Sequence, residues 1–174
     1  MEKIKIGGVR LNRKLLQVNF FGQESEVHLI AEVCREMARR TINIAFLSGR
    51  SAQGDMTRAS FCVEADKEQQ VRESLELITA HVQKAEFISP IAMITFHPRG
   101  DGLELLGAVL ELWGQNNLPL HGLSTSLSAI SCTTDDNRVE DVLSAIEDYV
   151  ILPPNHAPLL PEIKVVQSPL KKEG

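Results

Sequence analysis

Leu16-Gln17-Val18-Asn19-Phe20-Phe21 and Ile91-Ala92-Met93-Ile94-Thr95-Phe96 are the two stretches on which the fold of this chain turns. The first alternates like a half-buried strand, and the second is a short apolar run of strand type. Each is followed by a polar break, Gly22-Gln23-Glu24-Ser25 in one case and Pro98-Arg99-Gly100-Asp101-Gly102 in the other. Each break opens a helical pattern. Val27, Ile30, Ala31, Cys34, Met37 and Ala38 fall at three-and-four spacing in the first, and Leu105, Leu106, Val109, Leu110 and Trp113 in the second.

Working outward, Thr41–Ser48 answers Asn117–Ser124, and both read as strands leaving a helix. A third strand follows in each case, Ala59-Ser60-Phe61-Cys62-Val63 and Ala129-Ile130-Ser131-Cys132-Thr133, which sets Cys62 opposite Cys132. Then comes an acidic helix start, Asp66 or Asp135-Asp136, suited to free backbone amides. The second helices place Val71, Leu75 and Ile78 against Val139, Leu143 and Ile146. This is β-α-β-β-α twice, an internal repeat of the kind that governs every later inference.

The first unit finds its fourth strand near Lys84–Ile88. The second has none after Tyr149, because Pro153-Pro154 interrupts the chain. Ile4–Leu11 and Ile163–Val166 both have strand character. The N-terminal segment alternates better and otherwise has nothing to pair with. The expectation is therefore an α+β chain of two ferredoxin-like βαββαβ units, residues 12–89 and 90–150. Residues 3–11 interlock the units by completing the second, and 151–174 form a proline-containing tail.

Composition excludes several classes. A net charge of -5 and no basic stripe argue against nucleic-acid binding. No apolar run approaches the roughly 18–20 residues that span a bilayer, and the charged, alternating N-terminus does not resemble a targeting peptide. Cys34, Cys62 and Cys132 are scattered and odd in number, so no disulfide framework or zinc site is expected, and the expected setting is a reducing cytoplasm. His28, His97 and His121 form no pair with helix-face metal spacing, and no metal or other cofactor is expected.

The βαββαβ topology hosts unrelated functions, so sites must decide among them. An RNA-binding version stacks bases on sheet aromatics, yet the third strands offer only Phe61. A metal carrier needs paired cysteines in the first loop, where neither unit has one. Arg99 and Gly100 hint at an anion-binding hydrolase loop, but a solvated turn accounts for them as well. No paired acid and base and no activated nucleophile stands out, so the chain is expected not to be an enzyme.

Leu123-Ser124-Thr125-Ser126-Leu127-Ser128-Ala129-Ile130-Ser131-Cys132 resembles a segment of the regulatory half of bacterial aspartokinases, where the second strand of an ACT domain turns into the third. Ile6-Gly7-Gly8-Val9 is similar to the strand preceding the first ACT domain of that family, and Ile42-Asn43-Ile44 to the start of its second strand. The resemblance runs from residue 4 to about residue 149. It implies tandem ACT domains, a homodimer formed through sheet edges, a small amino acid as effector, and a regulated catalytic subunit encoded separately. By position, the effector contacts it implies are Gln23, Glu24 and Ser25 in the first loop and Asn43, Ile44 and Ala45 on the second strand. Asp101, Ser124, Thr125 and Ser126 are secondary candidates in the second unit.

The chain departs from the family's loop. Ser25 takes an aspartate's place, His28 a glycine's, and Ala45 stands where lysine-sensing relatives carry an acid. Two readings stay open: a sensor of a different amino acid, and a ligand-free oligomerisation or interaction module.

Overall fold

The computed structural model describes residues 2–22, 26–51, 57–78 and 82–154. Its elements run β1 (Ile4–Gly22), α1 (Glu26–Arg39), β2 (Phe46–Ser51), β3 (Thr57–Glu64), α2 (Glu68–Leu77), β4 (Val82–Pro98), α3 (Gly102–Gln115), β5 (Gly122–Thr125), β6 (Ile130–Asp135), α4 (Val139–Ile146) and β7 (Val150–Ile151). One sheet holds all seven strands in the order β2-β3-β1-β4-β6-β5, with β7 parallel to the start of β1.

The two units share their central strands. The late half of β1, Leu15–Gly22, pairs with β3, while Ile6–Asn12 lies along Met93–Pro98 in the second half of β4. The N-terminal segment thus completes the second unit, as its alternation implies. The alternative segment at residues 163–166 lies outside the described residues. Lys84–Ile88 does not stop at Pro90 but runs on into residues 91–98 as one long strand. Gly8, at φ 155, sits at the register shift between the Ile6 and His97 rungs, a bulge that suits a residue without Cβ.

Each unit buries one sheet face under its own helix pair. Leu16, Val18, Phe20, Phe61 and Val63 pack on Leu29, Val33, Met37, Val71 and Leu75. In the second unit, Ala92, Ile94, Phe96, Ile130 and Cys132 pack on Leu105, Val109, Leu112, Trp113, Val142 and Ile146. Leu29 and Val33 carry the deep stripe of α1, whereas Ala38, expected on that stripe, is exposed. The spacing admits both stripes, and packing onto the sheet buries the one carrying Leu29 and Val33.

Backbone hydrogen bonds correct the repeat's register. The N–H of Ala45 donates to Cys62 (2.8 Å) and that of His121 to Thr133 (2.9 Å), so Cys62 corresponds to Thr133 and Phe61 to Cys132. Cys62 and Cys132 are therefore not equivalent. A one-residue slip changes face in a strand: Cys132 points into the helical core and Cys62 to the opposite side. Likewise Ile78 N–H to Leu75 (3.1 Å) matches Tyr149 N–H to Ile146 (3.0 Å), which equates Val71 with Val142 and Leu75 with Ile146. The expected match of Val71 with Val139 is off by almost one helical turn, a shift that keeps the same stripe inward. The strands expected to begin at Thr41 and Asn117 begin later, at Phe46 and Gly122. Thr41 and Asn117 instead end their helices with positive φ (58° and 47°), in the left-handed conformation common after a helix.

The sheet faces not covered by helices meet each other. Leu15, Phe46, Cys62, Ile91 and Met93 form a third apolar cluster there. Gln17, fully buried, ties the units together: its amide donates to Asn19 Oδ1 and to the His121 carbonyl (2.9 Å each), and its oxygen accepts from Thr133 Oγ1 (2.8 Å).

Candidate effector site

Asn43, Ile44 and Ala45 lie between the end of α1 and the start of β2 and separate into two directions. Ile42 and Ile44 turn onto the helical core, whereas Asn43 and Ala45 are exposed on the side facing the second unit. Ile44 is thus a packing residue as much as a candidate contact. Gln23, Glu24 and Ser25 lie outside the described residues.

The strand register separates Gly22 from the Asn43–Ala45 segment. Phe46 pairs with Cys62, which pairs with Gln17, so the start of β2 is level with Gln17. Ser51 and Gly22 both pair with Thr57, so the chain leaves β1 level with the far end of β2. Five residues of strand, about 17 Å, lie between those levels. Within one unit, Gly22 and the Asn43–Ala45 segment are therefore level with opposite ends of β2. Among the described residues β2 is an edge strand, paired only with β3.

The secondary candidates have local duties. Asp101 caps α3, its Oδ1 accepting from the N–H groups of Leu103 (2.8 Å) and Glu104 (3.3 Å). Ser126 closes the turn after β5: its Oγ accepts from the Ala129 N–H (3.1 Å), and its own N–H donates to the Ala129 carbonyl (2.8 Å). Ser124 and Thr125 stand exposed on the other sheet edge.

A groove of about 370 Å³ opens between the two facing sheet surfaces, and most of its wall was not singled out from the sequence. Arg10, Asn12, Glu64, Thr95, His97 and Ser131 line it beside Asn43 and Ala45, over a floor of Leu15 and Met93. Cross-strand pairing puts them on one face. Arg10 is opposite Thr95 and Thr95 opposite Ser131, Asn12 is opposite Met93, and Leu15 is opposite Glu64. The available signal was Arg10 and Asn12 alternating with the buried Val9 and Leu11. Among the described residues no cluster of three or more His, Cys, Asp or Glu is arranged to hold a metal ion, and no helix is long and apolar enough to cross a membrane.

Cys62 and Cys132 are not poised for chemistry. Burial pushes the thiols of Cys62 and Cys132 up to about 12, leaving Cys34 as the partly accessible one.

No protein-family model matches the chain, and no curated protein matches it by sequence. Solved structures do. The ligand-free regulatory subunit of aspartate kinase from Thermus thermophilus is similar at TM-score 0.72 and 20% identity, over 82% of this chain and 97% of that one. Aspartate kinase from Synechocystis matches at 0.71 and 17%, over 88% of this chain and 29% of its own. Escherichia coli aspartokinase III in complex with lysine and aspartate matches at 0.60 and 13%, over 83% and 33%. The chain therefore has the fold of an aspartate kinase regulatory region, two interlocked ferredoxin-like units of the ACT type.

Proposed function

We propose that this chain is a non-catalytic regulatory module that binds a small free amino acid at the β2 edge, in a site completed by a second copy. The observation that supports the reading is that Gly22, the last described residue before residues 23–25, and the Asn43–Ala45 segment lie level with opposite ends of β2, an edge strand paired only with β3 among the described residues. If two β2 strands pair antiparallel, the start of one lies beside the end of the other. Residues 23–25 of one copy, which follow Gly22, would then meet Asn43 and Ala45 of its partner. The fold shared with a regulatory subunit that exists as its own chain supports a separately encoded kinase subunit as the regulated partner. The setting would be the cytoplasm.

The test is a thermal-shift screen of the whole chain against the twenty amino acids, with mass measured in solution. A ligand that binds only the folded state raises the melting temperature by mass action. The expected result is a dimer stabilised by one or a few amino acids, with the shift lost in Asn43→Ala. A dimer indifferent to the whole panel would favour a ligand-free interaction module instead.

A further inference from the structure

The repeat contains one exchange that opens a space. In the second unit, His121 Nε2 lies 2.7 Å from Asp135 Oδ1, so this carboxylate is taken up within the protein. The backbone register that equates Cys62 with Thr133 also equates Ala45 with His121 and Glu64 with Asp135. In the first unit the imidazole is therefore replaced by a methyl group. Glu64 has no side-chain hydrogen bond to the turn it opens, and no ion pair among the described residues. The groove lies at this gap.

Two further groups in the groove lack a partner. The exposed Arg10 guanidinium has no hydrogen bond or ion pair among the described residues. Asn12 is 7% exposed, and its buried Oδ1 accepts no hydrogen bond. A buried amide oxygen without a donor is costly, and a ligand N–H would satisfy it. A cation, an anion and an orphan acceptor thus face one cleft with an apolar floor. Its volume falls within the roughly 300–1,000 Å³ typical of small-molecule sites.

We propose that this groove is a ligand site contained within one chain, sharing Asn43 and Ala45 with the edge site but needing no second copy, which takes the zwitterion of a free amino acid. The carboxylate lies on Arg10, whose fork suits bidentate pairing. The ammonium occupies the place of the missing imidazole, between Glu64 and Asn12 Oδ1, and the side chain rests on Leu15 and Met93. The site needs no second copy, so it can be filled in a chain whose β2 edge is blocked.

Calorimetric titration of the whole chain with each amino acid, and with the N-acetylated form of any that binds, tests this. Wild type is compared with Arg10→Met, Glu64→Gln, Ala45→His and Leu47→Lys. Leu47 is exposed on the β2 edge, where a lysine discourages strand pairing without touching the groove. The expected result is binding by a monomeric Leu47→Lys protein, weakened tenfold or more by Arg10→Met and by Glu64→Gln. Ala45→His, which copies the second unit, should abolish it, and the acetylated form should not bind. Unchanged titrations in Arg10→Met and Glu64→Gln would overturn the groove site, and if Leu47→Lys alone abolished binding, the ligand would belong to the edge. Absence of binding by any amino acid to wild type would overturn it as well.

Discussion

The two units are built from one plan, yet their uncovered sheet faces differ where they meet. The first unit presents Phe46 and the second, at the equivalent place, Gly122. A Cβ on Gly122 would stand 2.9 Å from Thr133 Oγ1, 3.6 Å from Gln17 Oε1 and 3.6 Å from Phe46 Cζ. Two identical units would bring ring against ring at this junction. Large against small lets the faces close, and the buried Gln17 then finds partners in both units. The same comparison explains the groove, since Ala45 against His121 leaves one carboxylate without a partner among the described residues where the other is paired. Differences between repeats, more than their likeness, produce the features on which function can rest.

The waist of the molecule differs between the units as well. Arg13 forms a forked pair with Asp136 (3.2 Å through Nε, 3.0 Å through Nη2), and the Lys14 N–H donates to the same carboxylate (3.1 Å). Lys14 is held at φ 55, an uncommon conformation for a residue with a side chain. The corresponding residue of the first unit, Ala65, carries no carboxylate. Burial by itself would raise the Asp136 carboxyl, but Arg13 and the Lys14 N–H outweigh it and hold it below the ordinary carboxylate range.

The largest expected effect breaks the comparison at its bulky side. Phe46→Ala leaves a cavity between the faces and should cost about 3–5 kcal/mol in urea unfolding. A smaller loss would mean that the second unit collapses into the space. Gly122→Ala attacks the small side and is expected to cost about 1–3 kcal/mol, because Thr133 Oγ1 can yield only by leaving Gln17. Combining the two should cost less than the sum of the single effects, since the cavity left by the ring relieves part of the crowding.

Asp136→Asn sharpens the contrast at the waist and should cost about 1–2 kcal/mol near neutral pH. The folded-state pKa of Asp136 lies below its ordinary 3.8, so its contribution is complete above that value and is lost as pH falls through the lowered one. Melting temperatures of wild type and variant should therefore converge only as the pH drops below 3.8; convergence at higher pH would contradict the assignment. The smallest effect concerns the thiols. Alkylation of the native protein near pH 8 should label Cys34 and spare Cys62 and Cys132, read by mass spectrometry of the peptides. Rapid labelling of Cys62 would show that the two faces part readily.

The architecture was legible because it rests on local patterns. Alternation along residues 4–11 and 16–21, helical stripes after each polar break and acidic helix starts repeat along the chain. The shortage of strands in the second unit points to the N-terminus as its completion. Registers were less legible. Aligning Cys62 with Cys132 follows residue identity, whereas the hydrogen bonds align Cys62 with Thr133. Composition cannot see a one-residue slip that exchanges the faces of a strand. Of the candidate site, Asn43 and Ala45 line the groove as a pair separated by the inward-facing Ile44, while Asp101 and Ser126 serve a helix cap and a turn.

By itself the sequence determined the two-unit plan, the exchange of the N-terminal strand and the apolar faces. These follow from side-chain periodicity, which is a property of neighbours along the chain. Only the tertiary structure decided that the uncovered faces meet, that Gln17 and Asp136 hold them, and that Arg10, Asn12 and Glu64 share one cleft. Those residues come from two strands, a turn and both units, and pairing between strands distant in sequence sets their neighbours. No pattern local to any one segment encodes that pairing.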